Sequence, residues 1–208
     1  MNFDNTKDLD QEVLEIKKSL ISSDYNTQEE KDFFADKIIV KKVKKGELLL
    51  KEGQFIRNSY HLFKGCIREY YLKDGEEKTV SFYTAGDSLS YDVNKVNQVP
   101  SAVSWECVSE CIISIYPYEV EMEVYRRFPR LESMCRIETE RQYYNYKTEV
   151  NNYLSSSPNE RYENLMKTKP EIFQFVPLYH IASYVGVKPE SLSRIRNRLR
   201  TSSTNKHS

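Results

Sequence analysis

The chain has 208 residues, 39% of them hydrophobic and 12% aromatic, and its 31 Lys and Arg balance 31 Asp and Glu. That composition excludes a disordered chain and leaves room for one large or two modest domains, each with a core. No stretch approaches the ~20 apolar residues of a membrane span, and the polar opening Met1 to Asn5 is unlike a signal peptide, so a cytoplasmic protein without membrane contact is expected.

Leu9, Val13, Ile16 and Leu20 recur at helical spacing and predict an amphipathic helix over 9–22. A second helix is expected over 27–36, with Thr27 as N-cap and Glu29 and Glu30 in its first turn. From Ile38 to about Ile115 the pattern changes to short β-branched and aromatic runs. Strands are expected at 38–43, 47–51, 59–63, 66–72, 77–83, 103–108 and 111–115. Five of the six glycines (46, 53, 65, 75 and 86) mark the breaks between them, and Asp74-Gly75 signals a tight hairpin. Many short strands at regular spacing indicate a sandwich or jelly-roll barrel.

The β-rich region offers little for catalysis. Cys66, Cys107, Cys111 and Cys135 match no zinc or iron–sulfur spacing and read as buried free thiols; Cys107 and Cys111, four apart among strands, are not expected to converge as ligands. The histidines, His61, His180 and His207, are dispersed. An enzyme on a cupin-like barrel would need a His/carboxylate metal site, and His61 is the only histidine in that region. No nucleophile–base pair or phosphate-binding loop stands out, so a non-enzyme is expected.

After Pro117 helical character returns, and residues 129–154 contain neither glycine nor internal proline. Such a helix would span ~40 Å, too long for a small domain to cover. Its apolar stripe of Leu131, Met134, Ile137, Tyr144, Val150 and Leu154 reads as half of a dimer seam, interrupted by Arg141 and Thr148. The alternative is a helix packed on the barrel. A further helix is expected to start near Glu160 behind the turn at 157–159 and to end at Lys169-Pro170; the polar run from Thr201 predicts an unfolded tail.

Residues 178–197 carry the strongest signal. Ala182 is small enough for a second helix to approach, Gly186 sits where the chain must turn, and Pro189 fits only a first helical turn. Ile181, Val185, Val187, Leu192 and Ile195 are apolar where a two-helix corner packs. At 100° per residue Leu192, Ile195 and Leu199 share one side of the second helix; Glu190, Arg194 and Asn197 lie opposite, flanked by Ser193 and Arg198. An Arg can pair with a guanine edge and a carboxylate can accept from cytosine, so this is a helix-turn-helix suited to the major groove. An amphipathic hairpin with a solvated basic face is the alternative. Residues 156–208 hold nine Lys and Arg against four Glu, so that segment carries +5 and the remainder −5. A basic end on an otherwise acidic chain suits phosphate neutralisation.

The ordered set of barrel, long helix and helix-turn-helix resembles the CRP/FNR family of transcription regulators. The resemblance covers roughly residues 10–200. It is most specific at Lys44-Lys45-Gly46-Glu47, at 63–68, at Asp74-Gly75-Glu76, at Ala85-Gly86-Asp87 and at 190–195. It implies an α+β protein: an N-terminal cyclic-nucleotide-binding-like jelly roll over 1–118, a linking and dimerisation helix over 119–155, and a helix-turn-helix domain over 156–208. The implied partners are double-stranded DNA with a palindromic operator, a second copy of the chain through the 129–154 helix and RNA polymerase, with a barrel that binds an unidentified small-molecule effector or none. By position, Glu190, Ser193 and Arg194 match the family's base-reading set, to which the outward face adds Asn197. Lys188, Ser191, Arg196, Arg198 and Arg200 are placed to meet phosphates, and the family usually continues into a β-hairpin wing that is not expected here.

The sensor departs from the family's cyclic-nucleotide pattern of Gly-Glu followed by Arg-Ser or Arg-Thr. Gly86-Asp87 leads into Ser88, Leu89, Ser90, Tyr91 and Asp92, and the Arg-Ser position reads Pro100-Ser101. Without a cation there, a bound phosphate would be poorly stabilised. Neither a cyclic nucleotide nor an iron–sulfur cluster is expected, and no other cofactor is. An effector pocket, if built at the family's place, would involve Ser88, Ser90, Tyr91, Pro100 and Ser101. A cyclic-nucleotide-dependent regulator with an altered cassette is the alternative.

Overall fold

The computed structural model describes residues 11–89 and 99–204, the last four by their backbone only. Helix α1 (Gln11–Ile21) precedes α2 (Gln28–Lys37), which begins at a capping box: the Thr27 hydroxyl accepts from the Glu30 N–H while the Glu30 carboxylate accepts from the Thr27 N–H. Eight strands follow: β1 (Ile39–Val43), β2 (Leu48–Leu50), β3 (Asn58–Lys64), β4 (Ile67–Lys73), β5 (Glu76–Tyr83), β6 (Ser88–Leu89), β7 (Ser104–Cys107) and β8 (Cys111–Pro117).

They form two antiparallel four-stranded sheets, ordered β1-β8-β3-β6 and β2-β7-β4-β5. Val43, Leu50, Leu62, Ile67, Trp105 and Ile113 fill the space between them. The β4–β5 hairpin turns at Asp74 (φ 54°) and Gly75 (φ 79°), the left-handed pair a two-residue turn requires. Val13 of α1 packs with Val40 and Ile112 in a second cluster, and Phe33 of α2 packs with Val124 and Phe128. The α+β class and the jelly-roll barrel follow the sequence reading.

Helix α3 (Tyr118–Arg127) runs to Phe128, and α4 (Pro129–Ser155) starts at the proline that follows. No residue of the 27 in α4 is buried. Met134, Ile137, Tyr144 and Leu154 stand 50–73% exposed, while Leu131 and Val150 are half-buried. Helix α5 (Pro158–Thr168) opens two residues earlier than the sequence indicates, because Ser157 and Glu160 form a second capping box and Pro158 takes the first helical position. A 3₁₀ turn (Pro170–Gln174), α6 (Leu178–Val185) and α7 (Pro189–Thr204) complete the chain. The expectation of an unfolded tail from Thr201 is corrected for its first four residues, where the backbone continues the helix through Thr204; residues 205–208 of that tail lie outside the described residues. No helix among the described residues is long and apolar enough to cross a membrane.

The helical segment is not detached from the barrel. Leu165, Ile172, Val176, Ile181 and Leu192 share one buried cluster with Cys66, Phe82 and Val108 of the barrel.

Candidate nucleic-acid interface

The corner between α6 and α7 is built as its sequence dictates. Gly186 caps α6 at φ 83°, and its N–H and that of Val187 both donate to the Ala182 carbonyl. Ile181, Ala182, Val185 and Leu192 are essentially inaccessible to solvent, and Ile195 is 8% exposed. Lys188 precedes Pro189, and its carbonyl accepts from Ser191 and Leu192 to open α7.

The opposite side of α7 faces solvent. Glu190, Ser193, Arg194 and Asn197 are all exposed, as are Lys188, Arg198 and Arg200; Ser191 and Arg196 are intermediate, as their nearness to the packed side demands. Among the described residues, neither the Glu190 nor the Arg194 side chain has a hydrogen bond or ion pair. The Ser193 hydroxyl donates back to the Pro189 carbonyl at 3.2 Å, leaving its oxygen to accept from outside. An unpartnered carboxylate and guanidinium one helical turn apart can read base edges; buried side chains could not.

Two residues without a sequence signal hold the corner in place. Arg161 of α5 lies over the Tyr153 ring, 3.9 Å from its centroid, and donates to the carbonyls of Tyr153 (3.0 Å) and Val185 (3.1 Å). It ties the end of α4 to the turn of the corner. Arg68, on β4, is 1% exposed. Its guanidinium pairs with Glu77 and with Glu106 at 2.6 Å and lies 2.6 Å from His180 Nδ1 on α6. A guanidinium can only donate, so His180 accepts at Nδ1. Burial, then the Arg68 charge, pushes the His180 pKa down to about 4. Ser183 completes the contact: its hydroxyl accepts from the Thr79 N–H (3.0 Å) and donates to the Glu77 carbonyl (3.2 Å), satisfying the edge of β5.

The barrel interior holds a carboxylate where alternation calls for an apolar side chain. Glu69 accepts from Trp105 Nε1 (2.8 Å) and from the Tyr83 hydroxyl (3.0 Å), and burial together with Glu69 raises the Tyr83 pKa well above its ordinary value. Of the residues expected at an effector pocket, Ser88 Oγ lies 2.9 Å from His61 Nδ1, Ser101 is buried with its hydroxyl donating to the Val103 carbonyl, and Pro100 is exposed. Ser90 and Tyr91 lie outside the described residues.

Cys66, Cys107 and Cys111 are buried free thiols and Cys135 is half-buried. Cys107 and Cys111 flank the short turn between β7 and β8. The neighbouring Cys111 thiol, then burial, pushes the Cys107 thiol up. Among the described residues no group of three His, Cys, Asp or Glu side chains is placed to hold a metal ion.

No protein-family model matches the chain. The fumarate and nitrate reduction regulatory protein of Vibrio cholerae is 29% identical over 99 residues, 46% of this chain and 39% of that protein. The chain thus spans about two fifths of the length of the curated relatives it matches. Among solved structures, FixK2 from Bradyrhizobium japonicum superposes with a TM-score of 0.66 at 16% identity, covering 80% of this chain and 86% of that one. A Eubacterium rectale protein assigned to the CRP/FNR family gives 0.64 at 15% identity, covering 86% and 85%. The resemblance carried by the sequence motifs therefore holds at the level of the fold.

Proposed function

We propose that the chain is a sequence-specific DNA-binding transcriptional regulator of the CRP/FNR type and not an enzyme, working in the cytoplasm as a homodimer. The observation that carries this reading is the face of α7. Glu190, Arg194 and Asn197 are exposed along one side of a helix whose other side, through Leu192 and Ile195, is packed into a glycine-turned corner. In this assignment Glu190, Ser193, Arg194 and Asn197 read bases, and Lys188, Ser191, Arg196, Arg198 and Arg200 neutralise phosphates. The solvent-facing apolar stripe of α4 supplies the dimer seam, and the two copies meet a palindromic operator in partnership with RNA polymerase.

The effector, on this reading, is not a cyclic nucleotide, and neither a cofactor nor an iron–sulfur cluster is needed. The Glu69 carboxylate between Trp105 and Tyr83 opposes a phosphate inside the barrel, and the sequence reads Pro100-Ser101 where the family carries its Arg. Calorimetric titration with cyclic AMP and cyclic GMP tests this, and micromolar binding of either would overturn it.

Selection of bound duplexes from random DNA tests the function itself. The expected product is an inverted repeat with half-sites about one helical turn, roughly 34–36 Å, apart. A bound pool no different from the input would contradict the proposal.

A further inference from the structure

We propose that the cleft between β2, the loop at 51–57 and β3 binds a small carboxylic acid with an aromatic or aliphatic body. The cleft measures about 400 Å³, within the roughly 300–1,000 Å³ of small-molecule sites. Its inner wall is apolar and aromatic: Leu50, Tyr60 and Trp105 are buried, and the Tyr60 and Trp105 rings meet edge to face at 6.1 Å. At the rim, Phe55 is 49% exposed and the Arg57 guanidinium is exposed. Among the described residues no carboxylate pairs with Arg57. The amide of Gln54 and that of Asn58, which donates to the Tyr60 hydroxyl, stand beside it.

This combination selects a ligand class. A guanidinium that no carboxylate among the described residues occupies matches the two oxygens of a carboxylic acid's anion bidentately. The aromatic walls take up an apolar body, and one cation balances one negative charge. A phosphomonoester dianion would leave a second charge uncompensated against Trp105 and Tyr60.

The cleft also reaches the helical corner through two cross-strand pairs, Glu69 opposite Trp105 and Arg68 opposite Glu106. Trp105 turns its N–H away from the cleft to Glu69. One residue along each strand, on the other face of the sheet, Arg68 holds Glu106 and His180 of α6. A ligand that displaces the Trp105 ring acts on the strands that carry this contact. Its role as effector rests on the DNA-reading assignment; the binding does not.

Trp105 is the chain's single tryptophan, so its fluorescence reports the cleft directly. The whole chain is titrated with benzoate, phenylacetate and octanoate, and with benzylamine and benzyl alcohol as cationic and neutral controls. At least one acid should give a saturable change, and both controls should give none. Loss of the charge-assisted pair in Arg57→Gln should weaken that acid about tenfold. Gln54→Glu, which sets a negative charge at the rim without touching the core, should weaken it too. Absence of a saturable response to any acid, an acid response indifferent to both variants, or equal binding of benzyl alcohol would overturn the proposal. No DNA enters this measurement, so its failure leaves the assignment of α7 standing, and a failed DNA selection leaves the cleft standing.

Discussion

Arg68 and His180 are 112 residues apart in sequence and meet at 2.6 Å in the interior, where the barrel grips the first helix of the corner. The imidazole accepts from a permanent cation, so protonating it would set two positive charges against each other. Its pKa stands at about 4, pushed down by burial and then by Arg68, from an ordinary 6.5. Above the ordinary value both folded and unfolded chains hold the ring neutral. Between there and about 4 the unfolded chain takes up a proton that the folded one refuses, so stability falls with pH across that window and the loss levels off below it. The full loss is about 3 kcal/mol. Urea unfolding from about pH 7 down to pH 4 should show His180→Gln with a shallower decline than the parent; parallel declines would contradict the assigned role.

The corner's turn depends on Gly186. Its φ of 83° is a region where a Cβ costs about 1–2 kcal/mol. The nearest atoms, Arg161 Nη1 at 3.2 Å and the Tyr153 hydroxyl at 3.3 Å, are ends of flexible side chains that can give way. Gly186→Ala should therefore lower stability by the backbone term, about 1–2 kcal/mol, without abolishing the fold. Denaturant midpoints check this, and an unchanged midpoint would show that the turn can relax.

The seam proposed on α4 can be tested without DNA. Ile137 is 59% and Tyr144 70% exposed in the single chain. Ile137→Lys combined with Tyr144→Lys should convert a dimer to a monomer in analytical ultracentrifugation while the circular dichroism spectrum is kept. A parent chain that is already monomeric, or a double variant that still dimerises, would remove the seam.

Much of this was legible in sequence because it is written locally. Glycines at turns, the Asp74-Gly75 hairpin, capping residues such as Thr27 and the 3.6-residue periodicity of 181–195 each constrain only their neighbours. The break between α3 and α4 was also local, since a residue before proline is biased away from helix and Phe128 precedes Pro129, yet the apolar pattern runs across it. The contacts that orient the corner were not legible. Arg68, Ser183 and His180 are polar residues whose partners lie far away in sequence, and periodicity carries no information about such pairs. Glu69 is intermediate: an acidic residue two positions beyond the apolar Ile67 breaks the strand's alternation, a local anomaly that reading 66–72 simply as a strand does not register.

The most direct test of the central claim replaces Arg194 with Ala and measures binding to the selected operator and to single-base variants of it. Loss of one bidentate base contact should cost about 1–3 kcal/mol on the operator. Discrimination should collapse at one position in each half-site, with the dimer and the affinity for non-specific DNA nearly unchanged. Full discrimination at every position of the operator after Arg194→Ala would contradict the reading of α7 as the helix that touches the bases.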